Sequence, residues 1–210
     1  MSVYVHFPWC LRKCPYCDFQ SVAASPTSIP HENYAQAVIH ELQWRSEQVA
    51  DQPLESIFFG GGTPSLWEVG ELGRVLKAIF RCFRSAAEQV EVTVECNPSS
   101  LDRSKAAALA GVGVNRLSIG VQSLDASHLR FLGRIHGPTE ALRALAAARS
   151  EVHRVNADLI FAIPGQTASS LVQPLKQLSD AGVAHISAYG LTVEPGTRFG
   201  ALQQEGRLQL

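Results

Sequence analysis

Three cysteines, Cys10, Cys14 and Cys17, sit in the run His6-Phe-Pro-Trp-Cys10-Leu-Arg-Lys-Cys14-Pro-Tyr-Cys17-Asp-Phe19. Thiolates this close together are soft ligands that converge on one metal centre, and iron–sulfur clusters are held mainly by cysteine sulfur. A four-iron cluster held by three protein cysteines keeps one iron open to an outside ligand. A structural zinc site would want four nitrogen or sulfur ligands, usually as two separated pairs, and the chain has no second C-x2-C pair. A disulfide framework would need an oxidising compartment and usually an even number of cysteines, whereas this chain has five and shows no secretory leader. Of the remaining two, Cys82 lies in an apolar helical stretch and reads as a core thiol. Cys96 follows a carboxylate at a strand end, where it could approach the site, packing being its expected role.

Several polar residues stand where apolar runs end. Gly60-Gly-Gly-Thr63 lets backbone approach a ligand with no Cβ in the way and adds a hydroxyl, although the same tetrapeptide could be a plain turn. Glu95, an acceptor-only carboxylate when ionised, suits ligand hydroxyls; its alternative is a solvated strand-end charge. Gln122 could bond an amide edge or a carboxylate. Arg134 could pair with a carboxylate or simply be solvated on the surface. Asp158 interrupts an apolar run, where an unpaired charge is costly, so it requires a ligand or a structural partner. Tyr4 and Tyr16 flank the cysteine loop and could pack against an aromatic ligand or, for Tyr4, into the core.

The elements that must position these groups alternate along the chain. Strands are predicted at Ser2–His6, Ser56–Phe59, Val90–Glu95, Arg116–Ile119, Val155–Ile160 and His185–Leu191. Helices are predicted near Ile29–Gln48, Leu66–Phe83, Asp102–Ala110, Pro138–Ser150 and Ala168–Ala181, with a shorter one near Ser127–Leu132. Asp102 suits a helix cap, Pro138 a first turn and Gly182 a C-terminal stop. Six alternations with nearly continuous apolar strands imply a parallel sheet covered by helices, in one domain. In such sheets the ligand site forms at the carboxyl ends of the strands, which is where the cysteine loop, Gly60–Ser65, Glu95–Pro98, Gly120–Ser123, Ile163–Gln166 and Thr192–Thr197 fall.

The C-x3-C-x2-C spacing, with an aromatic residue before the last cysteine, resembles the radical S-adenosylmethionine (SAM) superfamily. Val3-Tyr-Val-His-Phe-Pro-Trp-Cys, Tyr16-Cys-Asp18, Gly60-Gly-Gly-Thr-Pro-Ser, Gly120-Val-Gln-Ser, Asp158-Leu-Ile and Leu191-Thr-Val-Glu-Pro-Gly-Thr197 together resemble its coproporphyrinogen-oxidase-like branch, most of all the HemW heme chaperones. The resemblance implies an α/β fold, an incomplete (β/α)6 barrel. It assigns Cys10, Cys14 and Cys17 to a [4Fe-4S] cluster, and Tyr4, Gly61, Gly62, Thr63, Glu95, Gln122, Arg134 and Asp158 to SAM. It further implies room for a second SAM, with Tyr16 near it. The chemistry implied is reductive cleavage of SAM to methionine and a 5′-deoxyadenosyl radical, with an electron donor as partner.

Two functions compete within that branch. One is oxygen-independent coproporphyrinogen III oxidase, which decarboxylates propionate side chains to vinyl groups. The other is a heme chaperone carrying heme to an acceptor protein. The oxidases resemble C-x3-C-x2-C-x-C and carry an N-terminal extension; this chain has Phe19 at the fourth position and begins almost on its first strand, which favours the chaperone. HemW relatives continue into a C-terminal domain with a suggested heme-binding motif, His-Asn-x-x-Tyr-Trp, which does not occur in these 210 residues. The expectation is one domain over 1–210, a truncated product or fragment with no closing element after the sixth strand. Its seven scattered histidines do not replace the motif, so heme should bind weakly. The formal net charge of −1 and the lack of a basic run argue against nucleic acid as partner. No apolar run approaches the roughly 18 residues of a membrane span. The cytoplasm is the expected compartment.

Overall fold

Alternating residue types make the strands. In Val5 and Phe7, Ile57 and Phe59, Val92 and Val94, Leu117 and Ile119, and Val155, Ala157 and Leu159, every second side chain is apolar and buried. The intervening positions are mostly polar, the period-2 pattern of a sheet whose two faces meet different surroundings. The structure is a computed structural model that describes residues 1–47, 49, 52–83 and 89–208. Its strands are β1 (Ser2–Phe7), the two-residue β2 (Trp9–Cys10) and β3 (Val22–Ala23), β4 (Ser56–Gly61), β5 (Glu91–Cys96), β6 (Arg116–Gln122), β7 (Arg154–Phe161) and β8 (His185–Gly190). Six of these form one sheet in the order β1-β4-β5-β6-β7-β8. Every pairing is parallel.

Parallel neighbours need crossovers, and helices supply them. They are α1 (His31–Ser46), α2 (Val69–Cys82), α3 (Arg103–Gly111), α4 (Ala126–Phe131), α5 (Pro138–Glu151), α6 (Ala168–Asp180) and α7 (Arg198–Gln204). The apolar strand face packs with Leu72, Leu76 and Ile79 of α2, Leu109 of α3 and Leu145 of α5, all essentially inaccessible to solvent. The expected helix signals act as read. Asp102 accepts from the Lys105 N–H at 2.7 Å, Pro138 opens α5, and Gly182 adopts φ +71° just past α6.

Several boundaries differ from expectation for local reasons. Pro30 precedes α1, which starts at His31; the predicted end at Gln48 lies outside the described residues. Pro64–Leu66 forms a separate 3-10 turn, so α2 starts at Val69. β4 and β6 run on through Gly61 and Gln122. Cys82 is half-buried at the rim of the core, since it ends α2, and Cys96 is fully buried as expected. A short unpredicted helix, α7, follows β8, capped by Thr197 accepting from the Gly200 N–H at 3.0 Å, and β8 itself stays largely exposed.

Candidate functional site

The cysteine loop is built on an aromatic floor. Phe7 packs against the fully buried Trp67 at 5.2 Å, and Trp9 meets Phe7 at 5.2 Å and Tyr34 edge-on at 4.8 Å between ring centroids. The loop then leaves and returns at one place, because Trp9–Cys10 pairs with Val22–Ala23. Inside it, the Cys17 N–H donates to the Cys14 carbonyl at 3.1 Å. Lys13 Nζ donates to the carbonyls of Phe19 at 2.9 Å and Ser21 at 3.2 Å. From the far side the Phe199 N–H of α7 donates to the Pro15 carbonyl at 2.8 Å. Gly133 stands after α4 at φ +67°, where a Cβ would come within 2.5 Å of Pro15 Cδ. Segments far apart in sequence, after α4 and in α7, therefore meet at Pro15 of the loop.

The strand ends converge on the same place. A cavity of about 490 Å³ is lined by Cys10, Cys17, Gly61, Gly62, Thr63, Glu95, Gln122, Arg134 and Asp158, and by Tyr16 and Phe19. Of the candidate ligand residues singled out in the sequence, Cys14, Tyr4 and Gly60 are outside this lining. Cys14 instead faces Arg134, whose Nη1 lies 3.5 Å from its Sγ. Tyr4 is exposed rather than in the core: its position on β1 turns it to the polar face, its hydroxyl is 3.1 Å from His6 Nδ1 and its ring stacks on Phe58 at 6.1 Å.

The glycine loop commits its amides. Gly61, at φ +107°, donates to Glu95 Oε2 at 3.1 Å, the Gly62 N–H to the Phe7 carbonyl at 2.7 Å and the Thr63 N–H to the Trp9 carbonyl at 2.8 Å. An ammonium ligand here would find carbonyl oxygens to donate to, which is what an ammonium needs. Thr63 Oγ1 is 3.4 Å from Cys10 Sγ. Gln122 closes β6 with φ +63° at a register shift against β7, a conformation rare outside glycine. Its side chain folds over Gly120, where a Cβ would lie 2.8 Å from Gln122 Nε2.

Arg134 is not a solvated surface group. Its Nη2 donates to the Gly120 carbonyl at 2.9 Å, and its enclosed Nε has no partner among the described residues. Burial opposes its charge, but Tyr16 and Cys14 beside it hold its pKa above the ordinary value. Burial raises the Cys17 thiol, partly offset by the Phe19 amide. Glu95 is pushed from 4.5 to about 7, by burial first and by Asp158 next, against the Gly61 hydrogen bond. Burial also raises Asp158, against bonds from Ser118, Asn156 and Ser187.

The model of the radical SAM superfamily matches residues 4–178. The chain belongs to this superfamily. It is 38% identical over 202 residues to the heme chaperone HemW of Escherichia coli strain K12, covering 96% of this chain and 53% of that protein. It is 39% identical over 208 residues to the mitochondrial radical S-adenosyl methionine domain-containing protein 1 of Mus musculus, covering 99% and 46%. Among solved structures, the coproporphyrinogen III oxidase HemN of Escherichia coli superposes with a TM-score of 0.83 at 26% identity, over 97% of this chain and 46% of that one. The chain spans about half the length of the curated relatives it matches. Its open parallel sheet is the partial barrel of the radical SAM fold.

Superfamily membership implies a [4Fe-4S] cluster and SAM, and the thiol environment fits a thiolate-held cluster. A buried guanidinium with one orphaned nitrogen and a threonine hydroxyl are aimed at two of the three sulfurs. Among the described residues no three His, Cys, Asp or Glu side chains are close enough to share a single ion. A four-iron cluster puts each thiolate on a different iron, so its ligands need not meet that condition. Reading the sequence missed the support around Asp158, namely Ser118, Asn156 and Ser187. The signal was there in part, since Asn156 and Asp158 are two apart on one strand and so share a face.

Proposed function

We propose that Cys10, Cys14 and Cys17 hold a [4Fe-4S] cluster whose fourth iron takes SAM, and that the chain is the cluster domain of a HemW-type heme chaperone passing heme to an acceptor protein. The observation that carries this reading is the single cavity shared by Cys10, Cys17, the Gly61–Thr63 loop and Glu95, in a chain 38% identical to a protein named as a heme chaperone. When bound, cluster and SAM together supply one-electron reductive cleavage of a carbon–sulfur bond, with the electron coming from an external donor. The protein's part is position and polarity. Glu95 accepts from ribose hydroxyls, a task for which its ionised form is required. Arg134 and Gln122, both in the cavity lining, face the SAM carboxylate. Thr63 and the carbonyls of Gly61 and Gly62 meet the ammonium group. Asp158 offers a further acceptor in the cavity, Tyr4 is assigned to SAM by the family resemblance alone, and Tyr16 serves a second SAM. No described helix is long and apolar enough to cross a membrane. The proposed compartment is the cytoplasm, where thiols and reduced clusters survive.

The likeness to coproporphyrinogen III oxidase favours a second reading, in which the same site starts oxidative decarboxylation of a propionate. Phe19 speaks against it. It occupies the position at which the oxidases are expected to carry a fourth cysteine, and its ring is 55% exposed at the cavity. Anaerobic reconstitution with iron and sulfide, followed by SAM, reductant and either coproporphyrinogen III or heme, separates the two. SAM binding without vinyl product supports the chaperone reading, and vinyl product supports the oxidase.

A further inference from the structure

Below the SAM candidates the sheet face that lines the cavity, opposite the helix-packed apolar face, is polar. Asn156 lies there on β7, 1% exposed. Its Nδ2 is 2.7 Å from Ser118 Oγ on β6, 2.7 Å from Asp158 Oδ1 on its own strand and 3.0 Å from Ser187 Oγ on β8. Ser118 Oγ reaches both carboxylate oxygens of Asp158, at 3.2 and 3.0 Å, and Ser187 Oγ donates back to Asn156 Oδ1 at 3.3 Å. The register explains the cluster: Ser118 pairs with Asn156, and Asp158 pairs with Ser187, so four side chains of three strands point the same way.

The donors run in one direction. An ionised carboxylate only accepts, so the amide nitrogen of Asn156 and the hydroxyl of Ser118 must face Asp158. Asn156 is buried with both ends of its amide used, so it has no freedom to turn away. We infer that Asn156 is a positioning residue: it aims Asp158 into the cavity and keeps its carboxylate charged and fixed for a ligand's N–H or O–H donor. The inference rests on the reading of Asp158 as a SAM contact.

The test is a double-mutant cycle on SAM affinity, measured by calorimetry on the reconstituted protein, with thermal unfolding recorded for each variant. Asn156→Asp keeps the shape but replaces the donor with a second acceptor, and it should weaken SAM about ten-fold, the scale of a hydrogen bond to a charged group. Asp158→Asn should also weaken SAM. In the Asp158→Asn background, Asn156→Asp should cost nothing further, because the amide introduced at position 158 can then donate to the new carboxylate. Ser118→Ala should show the same dependence on Asp158 and serves where an Asn156 variant does not fold. A loss from Asn156→Asp or Ser118→Ala that is equally large in the Asp158→Asn background would mark a purely structural network and overturn the inference. So would unchanged affinity in those single variants while Asp158→Asn loses SAM. Unchanged affinity in Asp158→Asn would instead remove Asp158 from the SAM site, and the inference with it.

Discussion

The backbone N–H of Gly61 donates to Glu95 Oε2 at 3.1 Å, which joins the glycine loop after β4 to the carboxylate near the end of β5. A Cβ at Gly60 would stand 3.1 Å from the same oxygen and 2.9 Å from the Tyr4 ring. Loop and carboxylate therefore form one surface, and a change at either is felt by whatever binds both.

Glu95→Ala should weaken SAM binding by roughly 1.5–3 kcal/mol, the usual scale for a hydrogen bond to a charged group, while the cluster remains. Since burial first and Asp158 next hold Glu95 at about 7, the ionised acceptor is progressively lost as pH falls through 7. SAM affinity should decline below that point in the native protein and decline less in Glu95→Gln. Stability should move the other way. Between 4.5 and about 7 the folded state binds more protons at Glu95 than the unfolded chain, so Glu95 opposes folding increasingly as pH rises through that window. Glu95→Gln should therefore gain stability at about pH 8 relative to about pH 4, on either side of that window, measured by urea unfolding. Equal pH profiles in both proteins would contradict the assignment.

Arg134→Gln should lower the cluster's reduction potential, because it removes a positive charge and a donor lying 3.5 Å from Cys14 Sγ, and cluster potentials follow local charge and hydrogen bonds to sulfur. It should also weaken SAM. An anaerobic potentiometric titration reads the first effect and calorimetry the second. An unchanged potential would mean that the guanidinium leaves the sulfur once the cluster forms.

Much of this site is legible from residue types alone, and the exceptions have physical causes. Strands and helices follow from local periodicity, and Asp102, Pro138 and Gly182 act through neighbours a few residues away. The burial of Arg134 depends on Gly120 and Cys14, distant in sequence, and nothing local announces it. The left-handed backbone of Gln122 comes from the register shift between β6 and β7. The short α7 carries a weak pattern and is stabilised by tertiary contact, Phe199 packing on Phe131 at 5.0 Å. Asn156 reads as an ordinary strand residue until Ser118 and Ser187 come beside it.

Trp67→Ala should cost about 3–5 kcal/mol of folding stability, as expected for deleting a fully buried large aromatic, here one packed on Phe7, Tyr34 and Phe59. Urea unfolding checks this. The same variant should lose reconstituted cluster faster in air, because Phe7 and Trp9 carry the cysteine loop. A loss under about 1 kcal/mol, well below that range, would show that the aromatic floor is not what supports it.

These 210 residues should bind SAM but take up heme weakly and form no vinyl product from coproporphyrinogen III. The reasons are Phe19 at the cavity and the lack of a His-Asn-x-x-Tyr-Trp segment in this sequence. Heme titration followed by absorption tests the first part, and chromatography of the porphyrin products the second. Tight stoichiometric heme binding would locate the heme site within this domain.

Iron and sulfide content after anaerobic reconstitution, together with visible absorption, tests the central claim most directly. The native chain should hold about four irons and four sulfides, as a four-iron cluster requires. Cys10→Ala, Cys14→Ala and Cys17→Ala should each lose the cluster absorption, and Cys82→Ala should keep it. Full cluster retention in all three single variants, or a native protein that takes up zinc alone, would contradict the account.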